Sequence, residues 1–192
     1  MNTLFSLNHP MQSIFWPKDH SLIKQLLLIA LGVTLLAFAS QLSIPLEPVP
    51  LTFQSTAVVL IGMAYGARQG AYVIAAYFLA GACGLPIFAD FHAGPAVFVG
   101  PTGGYLVGLL PAAFLSGYLA QKGWGKHIIS SFAAALLGVT LIFCLGLTWL
   151  SQSVGWHQAI IFGLMPFVLS ETLKLMAVSY VIPKLWKNEV AK

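Results

Sequence analysis

Glu171 and Lys174 are the acid and base that fall together inside an apolar run, Pro166-Phe167-Val168-Leu169-Ser170-Glu171-Thr172-Leu173-Lys174. A spacing of three puts both on one face of a helix. Ionisable groups at membrane depth are costly and persist where they meet a solute or one another. The carboxylate can accept from N–H donors, and the ammonium can donate to a carbonyl or pair with a carboxylate. This is binding chemistry, unless the two merely neutralise each other and hold helices together. A second element is Gly100-Pro101-Thr102-Gly103-Gly104-Tyr105. Thr102 is placed to cap the helix that follows, whose first N–H groups favour an anionic or carbonyl group. The plain alternative is a turn that needs glycine for close packing. Asp90 and His92 stand in the preceding loop, either exposed or lining the lid of a pocket. His9, His20, His127 and His157 lack metal-ligand spacing. Nucleophile elbows, zinc-protease helices and nucleotide-binding loops are missing from the sequence, so neither an enzyme nor a resident cofactor is expected. If solute movement needs ATP, a partner must hydrolyse it.

The elements that must position these groups are membrane helices. The 192-residue chain is 58% hydrophobic and 7% charged, against roughly 25% charged in a soluble domain. Its net charge of +4 comes from bases that punctuate the gaps between apolar runs. That pattern sets orientation in a bilayer and does not suggest nucleic acid. A single all-α membrane domain, 1–192, is expected: a cytoplasmic segment 1–21, a six-helix bundle 22–183 and a cytoplasmic tail 184–192. The predicted helices are Gln25–Ile44, Leu51–Gly66 with Thr52 and Gln54 in its first turn, Ala71–Leu85, Gly103–Ala120, Ile128–Leu150 and Pro166–Pro183. Ala67-Arg68-Gln69-Gly70 reads as a tight basic turn, and Trp156–Leu164 as a half-amphipathic piece. Ala37-Phe38-Ala39 imitates a signal-peptidase site, but the apolar run continues past it and cleavage is not expected. Cys83 and Cys144 sit in apolar runs and read as core filling.

Six crossings put both termini on one side. With that side cytoplasmic, Lys18, Lys24, Arg68, Lys122, Lys126, Lys184, Lys187 and Lys192 all face inward, while Glu47 and Asp90 lie in outer loops. The expected location is the cytoplasmic (inner) membrane. Trp16, Trp124, Trp149, Trp156 and Trp186 fall at run ends, as an aromatic belt requires. Two irregular segments then share the outer face. Ile44–Pro50 carries three prolines and is expected to be a stiff lid. Gly81–Gly108 is too rich in glycine and proline for one helix, and backbone that irregular survives at membrane depth only inside protein or beside a cavity.

Three stretches in this order resemble the BioY family: Ile44-Pro45-Leu46-Glu47-Pro48-Val49-Pro50-Leu51-Thr52-Phe53-Gln54, Gly84-Leu85-Pro86-Ile87-Phe88-Ala89 and Gly100-Pro101-Thr102-Gly103-Gly104-Tyr105-Leu106. The resemblance covers roughly Leu22 to Pro183. It implies a six-helix S component of an energy-coupling-factor (ECF) transporter that captures biotin from outside. Such proteins work with a coupling subunit and two ATPases or, in some organisms, without dedicated ones. The family commonly carries Asp-x-x-Lys in its sixth helix; here the matching positions are Glu171 and Lys174, one methylene longer at the acid. The Pro-Gly of many members is Leu169-Ser170. The Ala-x-x-x-Ala common in the first helix is replaced by Ala30, Gly32, Ala37 and Ala39.

Biotin fits these residues chemically. Its ureido ring offers two N–H donors and a carbonyl, its body is apolar and its tail is a carboxylate. Glu171 and Lys174 are expected to read polar ends, with Phe88, Phe91, Phe53 and Tyr105 flanking the body. Asp90, Thr52, Gln54 and Gly103 complete the candidate site. Competing readings are an S component for another vitamin, such as thiamine or riboflavin, and a membrane-embedded enzyme using Glu171 as acid or base. A ligand competition panel separates the first, and turnover of bound ligand the second.

Overall fold

The computed structural model describes the backbone of residues 22–190 and the side chains of 22–185. Expectations for His9, Trp16, Lys18, His20 and Lys192, and for the side chains of Trp186 and Lys187, lie outside the described residues. The chain builds α1 (Leu22–Gln41), a two-residue antiparallel ladder of β1 (Ser43–Ile44) and β2 (Leu51–Thr52), then α2 (Gln54–Tyr65), α3 (Ala67–Ala82), α4 (Gly103–Gln121), α5 (Ile128–Val154), α6 (Trp156–Gly163) and α7 (Met165–Val190). Short 3₁₀ turns at Ala89–Phe91, Pro95–Phe98 and Trp124–Lys126 interrupt the connections.

Several boundaries differ from the sequence expectation. The first helix stops at Gln41 because the next residues enter the ladder, with Ser43 opposite Thr52 and Ile44 opposite Leu51. For the same reason the second helix starts at Gln54, and Thr52 is a strand residue. The supposed turn Ala67–Gly70 is the first turn of α3. The bend is made by Gly66 alone, at φ 86°, a conformation that glycine adopts without a Cβ penalty. α7 continues through Pro183, which removes one helical hydrogen bond without ending the helix. Cys83 and Cys144 are exposed, so they do not fill the core; a thiol behaves as a small hydrophobe and is tolerated on an apolar outer face.

Among the described residues, four stretches are long and apolar enough to cross a bilayer: Leu22–Gln41, Gly103–Gln121, Ile128–Val154 and Met165–Leu185. α2 and α3, of 12 and 16 residues, rise about 18 and 24 Å at 1.5 Å per residue. They are packed against α4, the central helix, which also lies along α5. α4 buries eleven of its 19 residues, whereas α1 buries only Gly32, Leu36, Ala39 and Ser40. Leu22, Ile23, Leu26, Leu31, Ile129 and Leu169 point outward, as lipid permits. Between helices in lipid there is little hydrophobic drive, so close packing must hold the bundle. Its tightness shows where α4 crosses α5: a Cβ on Gly108 would stand 2.8 Å from the Ile142 Cα.

Gly108→Val should therefore force α4 and α5 apart and cost about 1–3 kcal/mol, while Val107→Ala, at an exposed neighbour, should change stability by less than about 0.5 kcal/mol. Thermal unfolding of both variants in detergent checks the contrast.

Candidate functional site

Glu171 and Lys174 lie on the face of α7 that meets the start of α2, and they are only 6% and 8% exposed. The ammonium donates to Glu171 Oε1 and, at 2.7 Å, to the Thr52 carbonyl at the end of β2. The Phe53 ring centroid lies 5.3 Å from the same nitrogen, a cation–π contact. Ser55 Oγ, from the second residue of α2, stands 3.0 and 2.9 Å from the two carboxylate oxygens. A buried ion pair is tolerated when further hydrogen bonds take up its remaining capacity. Here they come from a second helix and a strand. A carboxylate has about four lone-pair sites, so Oε2, engaged by Ser55 among the described residues, retains capacity to accept.

That spare capacity faces a chamber. Its empty space, counted out to the open mouth, is about 630 Å³, and Glu171 is part of its lining. From the loop before α2 come Val49, Pro50 and Thr52, and from α2 itself Gln54 and Ser55. Phe88, Ala89, Val97 and Thr102 contribute from the glycine-rich segment. Tyr105, Leu106 and Leu109 of α4, Ile142 and Phe143 of α5, and Phe167 of α7 complete the wall. One aromatic row lines the space, and a second reaches it through Phe88. Tyr105, Phe143 and Phe167 follow edge to face at 5.8 and 5.6 Å, and Tyr77, Phe88 and Phe98 at 5.3 and 5.5 Å. Tyr105 keeps its hydroxyl satisfied by donating to the Gly163 carbonyl at 2.9 Å. The chamber is thus mostly apolar with a few placed polar groups, the usual form of a small-molecule site.

The irregular segment owes its shape to side chains from elsewhere. Ser40 donates to the Ile87 carbonyl at 2.6 Å, and Gln41 donates to the Phe88 carbonyl at 2.9 Å. The side-chain oxygen Oε1 of Gln41 accepts from the Phe91 N–H at 3.0 Å, and Ser43 donates to Asp90 Oδ1 at 2.8 Å. These contacts surround Asp90 and Phe91, both left-handed at φ 55° and 58°, a conformation uncommon for side-chain-bearing residues. Trp149 donates to the Gly100 carbonyl at 2.9 Å. Because Gln41 and Ser43 reach residues 88–91, the segment before α2 and the glycine-rich segment share one end of the bundle.

Among the residues expected from sequence, Thr52, Gln54, Phe88, Tyr105 and Glu171 line the chamber together. Lys174 stands behind Glu171, and Phe53 lies beneath Lys174. Gly103 is buried at the start of α4, its N–H donating to the Gly100 carbonyl. Asp90 and Phe91 are exposed, on the outer side of the loop whose Phe88 and Ala89 turn inward. His92 lies beside them, with Nδ1 2.8 Å from the Ala89 carbonyl. Thr102 does not cap α4 through its side chain; it takes part in the chamber wall instead. Ser55, Val97, Ile142, Phe143 and Phe167 escaped the sequence reading. Each is an ordinary residue in an apolar or loop stretch, and only long-range packing brings it here.

The model of the BioY family matches residues 8–190. The "Biotin transporter BioY" of Thermotoga maritima is 37% identical over 171 residues, 88% of this chain and 100% of the relative. The "Probable biotin transporter BioY" of Pyrococcus horikoshii is 35% identical over 165 residues, 86% of this chain and 98% of the relative. Among solved structures, the crystal structure of the S-component for biotin from an ECF-type ABC transporter superposes with a TM-score of 0.77 at 24% identity, covering 86% of this chain and 92% of the other. The fold is therefore that of an S component.

Lys174→Met leaves the Glu171 carboxylate buried without its cation, and should cost about 3–5 kcal/mol. Adding Glu171→Gln to that variant should recover part of the loss. Unfolding midpoints of the single and double variants, measured without ligand, decide whether the pair behaves as one unit.

Proposed function

The chain belongs to the BioY family, and on that premise we propose that it captures biotin outside the cell and takes it up as the S component of an ECF-type transporter. It is a transport protein and not an enzyme. The observation that carries the reading is the buried Glu171 carboxylate, held from behind by Lys174 and Ser55 and directed into a largely apolar chamber. A ureido N–H would donate to Glu171. The bicyclic body and valeryl chain would lie between Phe88 and the Tyr105–Phe143–Phe167 row. Thr52 and Gln54 supply further polar contacts at the β2–α2 end. Lys174 sets the carboxylate, Phe53 packs beneath it, and Gly103 lets the Phe98 carbonyl approach the start of α4, where a Cβ would collide with it. Asp90 and Phe91, with Ile44–Pro50, form the outer rim of the mouth.

The protein is a multi-pass membrane protein. Its finer topology is six crossings with both termini cytoplasmic, in the inner membrane. Gly66 and Gln121 meet at the end of the bundle away from the chamber, where Ala67 N–H reaches Gln121 Oε1 at 3.5 Å. Arg68, Lys122 and Lys126 gather at that end, which supports placing it in the cytoplasm. The chamber then opens outward. No nucleotide-binding loop occurs in the sequence, so energy would come from a coupling subunit with ATPase subunits, and biotin is cargo.

Purified protein should bind biotin in isothermal titration, and Glu171→Gln should weaken binding about 10- to 100-fold, the worth of a hydrogen bond to a charged group. Affinity unchanged within about twofold would remove Glu171 from the site. Amide exchange in residues 43–52 should slow when biotin is added, if that segment closes the mouth.

A further inference from the structure

Tyr77 is fully buried and lies outside the chamber lining, yet its hydroxyl is spoken for on both sides. It donates to the Ile87 carbonyl at 2.8 Å, and at 2.9 Å it meets the side-chain amide of Gln54, which does line the chamber. A phenol has one hydrogen, and a carbonyl can only accept. With that hydrogen on Ile87, the phenol oxygen accepts, and the NH₂ of Gln54 faces it. A flipped amide would have to draw the Tyr77 hydrogen away from Ile87 and leave that carbonyl to Ser40 alone. The Gln54 side-chain oxygen is thereby turned away from Tyr77. Among the described residues no donor reaches that oxygen, and Gln54 is part of the chamber lining.

We propose that Tyr77 is a positioning residue that fixes the amide of Gln54, so that the chamber presents a second acceptor beside the Glu171 carboxylate and selects a ligand with two N–H donors. The inference rests on the reading of the chamber as a biotin site and deepens it. Ser55 follows Gln54 directly and bonds Glu171, so the two acceptors stand on the same turn of α2 and its partner on α7. A cyclic urea places two N–H groups on one small ring. Glu171 alone would read one of them; Gln54 in the orientation fixed by Tyr77 reads the other. A ligand of the same size lacking one donor leaves a buried acceptor unmatched, which discriminates more strongly than lost contact area does.

The test is isothermal titration of the full chain in detergent with biotin. Tyr77→Phe removes one oxygen and keeps the ring against Phe88. It is expected to weaken binding about tenfold, the scale of a neutral hydrogen bond. In a Gln54→Leu background the same change should cost less than twofold, because no amide remains to orient. On wild-type protein, biotin methylated at either ureido nitrogen should bind at least tenfold more weakly than biotin. The proposal is overturned if Tyr77→Phe binds as wild type or if its loss persists beside Gln54→Leu. It is equally overturned if one N-methyl analogue binds like biotin. Wild-type protein that binds no biotin overturns both this inference and the reading beneath it.

Discussion

An ion pair removed from water and lipid constrains everything around it. Removing each charge from solvent costs several kcal/mol, and the mutual attraction offsets this only when the remaining donors and acceptors are matched. In this bundle the matching comes from outside α7. Ser55 stands within hydrogen-bond distance of both oxygens of Glu171, and the Thr52 carbonyl accepts a hydrogen bond from the Lys174 ammonium. The last long helix is thus tied to the β2–α2 junction, more than a hundred positions earlier in the chain. The junction in turn owes its geometry to the β1–β2 ladder, which shortens α1 and α2 at the same end. Glu171 also lines the chamber, so the group that fastens the bundle is part of the chamber wall.

The chamber's opposite wall obeys a different constraint. Residues 83–102 cannot form a continuous helix, and their backbone groups need partners that lipid does not supply. Ser40, Gln41 and Tyr77 provide them for Ile87, Phe88 and Phe91, and Trp149 does so for Gly100. The donors sit on three different helices, so the loop is shaped by the folded bundle and not by its own sequence. With its polar backbone matched on the far side, the loop can turn Phe88, Ala89 and Val97 toward the cavity. An apolar wall made of irregular backbone becomes possible at a depth where such backbone is otherwise excluded.

Much of this was legible in the sequence, for identifiable reasons. Glu171 and Lys174 stood out because charge is rare in an apolar run, and their spacing alone put them on one helix face. The glycine- and proline-rich stretch declared itself as non-helical, and three motifs in order pointed to the BioY family. Other features leave no local trace. Ser55, Phe143 and Phe167 resemble any residue of their runs and become site residues only through packing between distant helices. The β1–β2 pairing is too short to have a period, so the apolar pattern of α1 and α2 runs on into it. Arg68 and Gln69 beside two glycines suggested a turn, but one left-handed glycine was enough to make it. Thr102 had the right type and place for a helix cap, yet its side chain was not used as one.

Biotin bound within the helices, with its ureido group on Glu171, is the central claim, and a crystal structure of the protein grown with biotin tests it most directly. The account predicts the ureido ring within hydrogen-bond distance of the Glu171 carboxylate and the apolar body between Phe88 and Tyr105. A chamber empty at saturating biotin, or biotin seated away from Glu171, would contradict it.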